Sequence, residues 1–254
     1  QAAWPADDPR IEAFLASMPE RYLLSNGPDA IAGHAHLVLD RARPVGLALA
    51  PSRHPEIAEL CVVAPDRPGL LARISAAITA NRLEVLGAQV YSRRLHPLVP
   101  ADPEAEAVDI FLVKGRGEGL VGLERALPQL QRDLERVCTG LAEPRELLAE
   151  RLGSSSPWRE RPSPAVLTEV VLDDRASPRH TVIEVFAKDR PGLLHTLAQA
   201  LHDLGLQIAL SKINTEGSKV ADVFYVNELD GSKVEPGERF KAIREGLLKA
   251  LAGV

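Results

Sequence analysis

The sequence predicts an α+β protein made of two similar units, each with an antiparallel sheet and helices on one face. The hexapeptide Asp-Arg-Pro-Gly-Leu-Leu occurs at residues 66–71 and again at 189–194, which indicates a duplicated domain. A β-branched, apolar run precedes each copy. Apolar residues at spacings of three and four follow it, as expected where a strand leads into an amphipathic helix. A second strand-like run matches between the copies at 108–113 and 221–226.

Residues 1–44 are expected to form a short helical segment ahead of the two units. A helix is predicted to begin near Pro28, because proline suits the first turn of a helix. It carries His34 and His36, whose spacing of two places them on different faces, so we interpret them as linker residues and not as shared metal ligands. The chain starts at Gln1 without an initiator methionine or a basic-then-apolar signal, and we interpret it as cut from a longer protein.

The first unit is predicted over residues 45–152. Its elements run strand, helix, strand, strand, helix, and a further strand could precede them at 45–50. Together these make the βαββαβ pattern of ferredoxin-like domains. A surface loop is expected at 94–107, which holds three prolines, and the final helix is expected from about 120 to 137. Pro128 is expected to kink or split that helix, because proline removes a backbone hydrogen bond.

The second unit is predicted over residues 165–254, after a Ser- and Pro-rich linker at 153–164. It has the same order of elements, and a further strand could again precede it, at 166–172. The final helix is expected from about Pro236, which suits a first turn, to Leu251.

The repeated hexapeptide stands where a strand gives way to a helix, and its residue types suit the recognition of a free amino acid. Proline suits the start of a helix, and glycine lets the backbone approach a partner closely. The N–H groups of the first helical turn attract a carboxylate. Aspartate can cap that turn or meet an ammonium group, and arginine adds positive charge. The alternative is that the hexapeptide is only a well-formed turn, because short motifs also occur without function.

Composition excludes several classes of function. The 254 residues are 45% hydrophobic and carry a net charge of −5, without a dense run of Lys and Arg that would bind nucleic acid. No apolar stretch is long enough to span a membrane. Cys61 and Cys138 lack a CxxC spacing and are expected to be buried in a reducing, cytoplasmic setting. The sequence shows no paired carboxylates, nucleophile elbow or metal cluster, so catalytic and metal-binding residues are not expected in this chain.

The hexapeptides, the helix after each and the run 205–208 resemble the ACT domain family, whose members bind amino acids or other small ligands at the loop after the first strand. The resemblance covers about 57–140 and 165–254. It implies a ligand site in each unit. The candidate ligand-binding residues are Asp66, Arg67, Gly69, Leu70 and Glu84 in the first unit and Asp189, Arg190, Gly192, Leu193 and Gln207 in the second.

A closer resemblance is found to the bifunctional uridylyltransferase/uridylyl-removing enzymes that modify the nitrogen-signalling PII protein. It rests on the run 179–231 and on residues 14–24 with 31–34. The resemblance implies glutamine as the ligand, PII as the partner of the full-length enzyme, and a regulatory role toward catalytic domains. The metal-binding motifs of those domains are missing, since the only His-Asp pair, at 202–203, has no companions at ligand spacing. The catalytic domains and their Mg are therefore expected outside this chain, which itself needs no cofactor.

The two units are expected to differ as ligand sites. Many ACT modules carry asparagine shortly after the helix, where its amide contacts the ligand, and the matching residues here are Glu84 and Gln207. Because Gln207 keeps the amide, the second unit is expected to retain more binding chemistry than the first. The alternative function is a dimerisation or scaffold module without a ligand, and a homodimer through sheet edges fits either function.

Overall fold

The structure is a computed structural model that describes most of the chain. Its described residues are 9–96, 104–115, 119–153, 167–213, 215–216 and 219–252. The predicted linker at 153–164 lies outside them from residue 154 onward, as does the middle of the predicted loop at 94–107. Among the described residues, no helix is long and apolar enough to cross a lipid bilayer.

The described residues ahead of the two units form three helices: α1 (Pro9–Ser17), α2 (Glu20–Ser25) and α3 (Pro28–Asp40). The helix predicted to begin near Pro28 is confirmed, with proline in its first turn. Phe14 and Tyr22 are fully buried in a cluster of apolar side chains that includes Val63 and Ile110 of the first sheet. The helical segment is therefore packed onto one face of the first unit.

The first unit contains these elements in chain order: β1 (Gly46–Pro51), β2 (Ile57–Pro65), α4 (Leu70–Ala80), β3 (Glu84–Gln89), β4 (Ser92–Arg93), β5 (Glu106–Lys114), α5 (Gly119–Cys138) and α6 (Pro144–Leu152). The sheet is antiparallel with the order β1-β2-β5-β3, and the short β4 pairs with the start of β5. The strand expected to precede the unit is confirmed as β1, at the edge beside β2. The ferredoxin-like fold is thus confirmed, with ββαββα as the order along the chain.

The last helix of the first unit continues past Pro128, and a further helix follows it. Helix α5 is continuous from Gly119 to Cys138, so the expected split at Pro128 is wrong, while the alternative of a kink stays a prediction. Because proline has no N–H, Pro128 leaves the Glu124 carbonyl without its helical hydrogen bond. Both residues are exposed, so water can bond to that carbonyl. Helix α6, which the sequence pattern does not predict, begins with a capping box between Glu143 and Glu146 and packs against α4. Glutamate stands where Ser or Thr is usual in a capping box, so the sequence pattern does not reveal this one.

The second unit repeats the same architecture: β6 (Glu169–Asp173), β7 (Thr181–Lys188), α7 (Leu193–Asp203), β8 (Leu206–Lys212), β9 (Thr215–Glu216), β10 (Lys219–Glu228) and α8 (Glu238–Ala252). Its strand order, β6-β7-β10-β8, corresponds position by position to that of the first sheet. Even the register agrees, because Asp109 pairs with Val62 in one sheet and Asp222 pairs with Val185 in the other. The predicted duplication is therefore confirmed at the level of single residues.

The two units lie side by side and contact each other through matching surfaces. Helix α4 packs on α7, and the edge strands β3 and β8 face each other, although no ladder joins the two sheets in the part of the chain that the structure describes. Ala72 and His195 occupy the same position of the repeat, and His195 Nδ1 lies 2.9 Å from the Ala72 carbonyl oxygen. Contact between equivalent positions is what an approximate two-fold axis between the units produces.

Candidate functional site

Each hexapeptide folds as a tight turn whose backbone requires glycine. The Arg67 carbonyl accepts a hydrogen bond from the Leu70 N–H at 3.1 Å, and Gly69 has φ 80° and ψ 4°. These angles match the third residue of a type II β-turn, a position that favours glycine. Gly192 adopts the same conformation, with φ 77° and ψ 4°. The turn therefore also provides the N-cap residue of α4 and of α7.

The predicted capping of each helix by the aspartate of the hexapeptide is wrong. Neither α4 nor α7 has a side-chain hydrogen bond at its N-cap, because glycine occupies that position and the aspartate precedes it. Asp66 instead bonds with the Ser92 side chain, and Asp189 accepts a hydrogen bond from the Arg190 backbone N–H. Both carboxylates thus stay beside their turns, where they can interact with a ligand.

Glu84 and Gln207, expected to serve their own units, lie instead against the hexapeptide of the other unit. Gln207 lines a cleft with residues 66–72, and Glu84 lines a smaller pocket with residues 189–194. Glu84 lies on β3 and Gln207 lies on β8. Both are edge strands that face the neighbouring unit, so each residue lies beside the other unit's hexapeptide. The expected grouping of the site residues within each unit is therefore wrong, and the protein has two composite sites. We call them the first cleft, which contains residues 66–72, and the second pocket, which contains residues 189–194.

The first cleft has the size of a small-molecule site. Its volume is about 890 Å³, within the range of several hundred Å³ that is usual for such sites. Its walls come from α2, the first hexapeptide, the chain after β3, and β8 with Gln207. His202 of α7 also lines it, and the His202 ring would lie 3.1 Å from a Cβ atom added to Gly69. Glycine is thus needed at this turn for close packing as well as for its backbone angles.

Two carboxylates of the first unit line this cleft. Burial raises the pKa of Asp66, although the Ser92 hydrogen bond opposes the shift. Asp109 of β5 is only 2% exposed. Burial first, and then the charge of Asp66, raise the pKa of Asp109 well above its usual value, while the Tyr91 backbone N–H, 3.3 Å from Asp109 Oδ1, favours the ionised form. Asp109 was not predicted as a site residue, although a charged residue inside an apolar strand, at the same place in both repeats, was a usable signal.

The first cleft also contains an arginine that connects three parts of the molecule. Arg21 of α2 donates hydrogen bonds to the carbonyl oxygens of Val90, at 3.3 Å, and Ala209, at 2.5 Å. Its guanidinium carbon lies 5.5 Å from the centre of the Tyr91 ring, a cation–π distance. Ala209 sits at a β-bulge, where the register between β8 and β10 slips, so its carbonyl is open to a side-chain donor. No sequence pattern pointed to Arg21, because its partners are far away along the chain.

The second pocket is small. Its volume is about 30 Å³, which is room for about one water molecule. Asp189, Arg190, Gly192 and Leu193 all line it, together with Glu84 from the first unit. Burial first, and then the charge of Glu84, raise the pKa of Asp189. The second hexapeptide, which is expected to keep more of the binding chemistry, thus faces a carboxylate of the first unit in a pocket with little room.

The remaining sequence candidates have structural partners. His34 is buried, with Nδ1 2.9 Å from the Tyr22 hydroxyl and Nε2 3.3 Å from Glu59, so interpreting it as a linker residue is wrong. His36 is paired with Asp40. Over the described ranges, no group of three or more His, Cys, Asp and Glu residues is placed to hold a metal ion. Both cysteines are buried and free, as expected.

Two units of this topology, joined side by side with their turns at the junction, define the class: the chain is a tandem α+β protein with the ferredoxin-like fold. The ACR9-like, ACT-like domain matches residues 169–252. Over almost its whole length, the chain is homologous to bifunctional uridylyltransferase/uridylyl-removing enzymes, so the resemblance seen in its residues is confirmed.

Three relatives show the extent of this homology. The enzyme of Gluconobacter oxydans (strain 621H) is 36% identical, covering 95% of this chain and 25% of that protein. Those of Azospirillum brasilense and Caulobacter vibrioides (strain NA1000 / CB15N) are 34% and 32% identical, covering 95% and 99% of this chain and 25% and 26% of theirs. The chain thus spans about a quarter of the length of these relatives. Among solved structures, the aspartate kinase from Synechocystis aligns with 78% of this chain and 27% of its own, at 16% identity and a TM-score of 0.35.

Proposed function

We propose that this region senses a free amino acid, glutamine, in the first cleft and regulates the catalytic domains of a uridylyltransferase/uridylyl-removing enzyme. The observation that carries the proposal is the composite cleft, in which the first hexapeptide faces Gln207 of the other unit across a volume of about 890 Å³. In the whole enzyme, the partner would be PII, and Mg would be bound by the catalytic domains. Homology to the bifunctional enzymes supports this assignment.

The lining of the first cleft suits a glutamine molecule. Leu71 and Ala72 line the cleft from the first turn of α4, where N–H groups lack helical partners and favour a carboxylate. Gln207 offers an amide, which can donate to and accept from another amide. Asp66 offers a carboxylate for the ammonium group. Each polar group of glutamine therefore has a complementary group in the cleft.

Regulation would follow from the position of the cleft, which is lined by three parts of the fold. A ligand there touches the first hexapeptide, β8 of the second unit and Arg21 of the helical segment. It can shift their arrangement only by the difference in its affinity for two arrangements. We infer that glutamine favours one packing of the helical segment on the paired units, and that the catalytic domains respond to that packing.

A thermal-shift titration of the chain with each of the twenty amino acids tests the proposal. Glutamine is expected to raise the melting temperature at micromolar to millimolar concentrations, since a ligand at 100 times its Kd stabilises a protein by about 2.7 kcal/mol. The alternative, a dimerisation or scaffold module, predicts no stabilisation by any amino acid and a mass near twice that of the monomer. That result would reject the sensing function.

A further inference from the structure

We propose that Asp109 is a ligand-binding residue of the first cleft and that it holds, together with Asp66, the ammonium group of the bound amino acid. The inference rests on the proposed function and adds to it the recognition of one ligand group by a residue in the sheet. It is carried by the position of Asp109, by its single hydrogen bond and by its counterpart in the second unit.

Asp109 lies in the middle of β5, paired with Val62, and its side chain lines the first cleft beside the hexapeptide. Its exposure is 2%, and the Tyr91 backbone N–H bonds to Oδ1 at 3.3 Å. Within the described residues, no protein donor bonds to its other oxygen, Oδ2. A carboxylate at the cleft wall with one oxygen unbonded can accept a hydrogen bond from a ligand.

A structural role alone does not explain this carboxylate. Burying a charged group costs free energy unless it is paired, and a single hydrogen bond from Tyr91 offsets little of that cost. The neighbouring residues of β5, Val108 and Ile110, are apolar, so a valine or isoleucine would suit the strand. The matching residue of the second unit, Asp222, is also buried, at 1% exposure, and lines the second pocket. The carboxylate is thus found with the hexapeptide in both repeats.

The chemistry of the site favours a cation with several donors. Asp66 and Asp109 are close enough for their charges to interact, and a positive group beside both lets both ionise. An alkylammonium group has three N–H donors and suits two carboxylates. A metal ion fits less well, because no set of three suitable ligands is found in the part of the chain described. In an amino acid, the accompanying carboxylate would meet the start of α4.

Calorimetric titration with two probes tests the inference. The probes are glutamine and glutaramate, which is glutamine without its α-amino group. Wild-type protein is expected to bind glutamine at least about tenfold more tightly than glutaramate. The D109N variant keeps an oxygen for the Tyr91 N–H but loses the charge. It is expected to bind glutamine about tenfold or more weakly than wild type, with its glutaramate affinity unchanged.

The matched control is D222N, which removes the equivalent carboxylate in the second pocket and should leave glutamine affinity as in wild type. Equal glutamine affinity of D109N and wild type would overturn the inference while leaving the sensing function intact. If D109N does not fold, the comparison of the two probes on wild-type protein decides, and equal affinities overturn the inference. Binding of neither glutamine nor any other amino acid to wild type would reject the sensing function and the inference together.

Discussion

Asp109 shows how a single residue links the sheet to the cleft. It lies in an apolar strand, yet it is a carboxylate at 2% exposure, beside a second carboxylate, Asp66. Burial raises the pKa of both groups. The folded state therefore holds protons that the unfolded state releases just above the ordinary pKa of 3.8, and this difference makes stability depend on pH.

For the ligand-free chain, we predict that stability falls as the pH rises. Because both folded pKa values are raised, their contribution to stability is full below pH 3.8 and is lost as pH rises through the folded pKa values. Between pH 4 and pH 8, urea unfolding should show that D109N loses less free energy of unfolding than wild type does. D40N, at an exposed position, controls for the substitution itself. If the free energy of unfolding of D109N depended on pH as steeply as that of wild type, Asp109 would not be the source of the pH dependence.

At the scale of elements, α2 of the helical segment contacts both units through Arg21. Arg21 bonds to a carbonyl of each unit, at Val90 and at Ala209, and stacks on Tyr91. The Tyr91 N–H in turn bonds to Asp109. Tyr91 thereby contacts both Arg21 of the helical segment and Asp109 of the first cleft.

The R21M variant tests the importance of this attachment. It keeps an apolar side chain but leaves both carbonyls without the guanidinium, and we expect a loss of about 1–3 kcal/mol in the free energy of unfolding. The control is R43M, which removes an exposed pair with Glu135 at 3.2 Å and should cost less than about 1 kcal/mol. Urea unfolding measures both. Similar losses for the two variants would mean that Arg21 does not hold the units together.

The elements were predictable where a local pattern specifies them. The repeated hexapeptide, the apolar strands and the spaced helices led to the correct fold, because each depends on residues close in sequence. Helix α6 was not predicted, since glutamate replaces the usual Ser or Thr of its capping box. Helix α5 was predicted, but it is not split at Pro128. The capping role of Asp66 was also mistaken, because glycine takes the N-cap position.

At the scale of the whole molecule, the composite sites could not be predicted from sequence. The packing of the two folded units decides which edge strand faces each hexapeptide. That contact leaves no periodic pattern in the sequence. Glu84 and Gln207 were singled out as candidate ligand-binding residues of their own units, but each lies beside the hexapeptide of the other unit. The duplicated units are also unequal, since one composite site has about 890 Å³ and the other about 30 Å³.

The central claim is that the first hexapeptide and Gln207 of the other unit form one amino-acid site. Calorimetric titration of glutamine into wild type, Q207A and E84A tests it most directly, because the two variants change the same position of the repeat. We predict one binding site per chain, a roughly tenfold loss of affinity in Q207A from one missing hydrogen bond, and wild-type affinity in E84A. A loss confined to E84A, or two equal sites per chain, would contradict the claim.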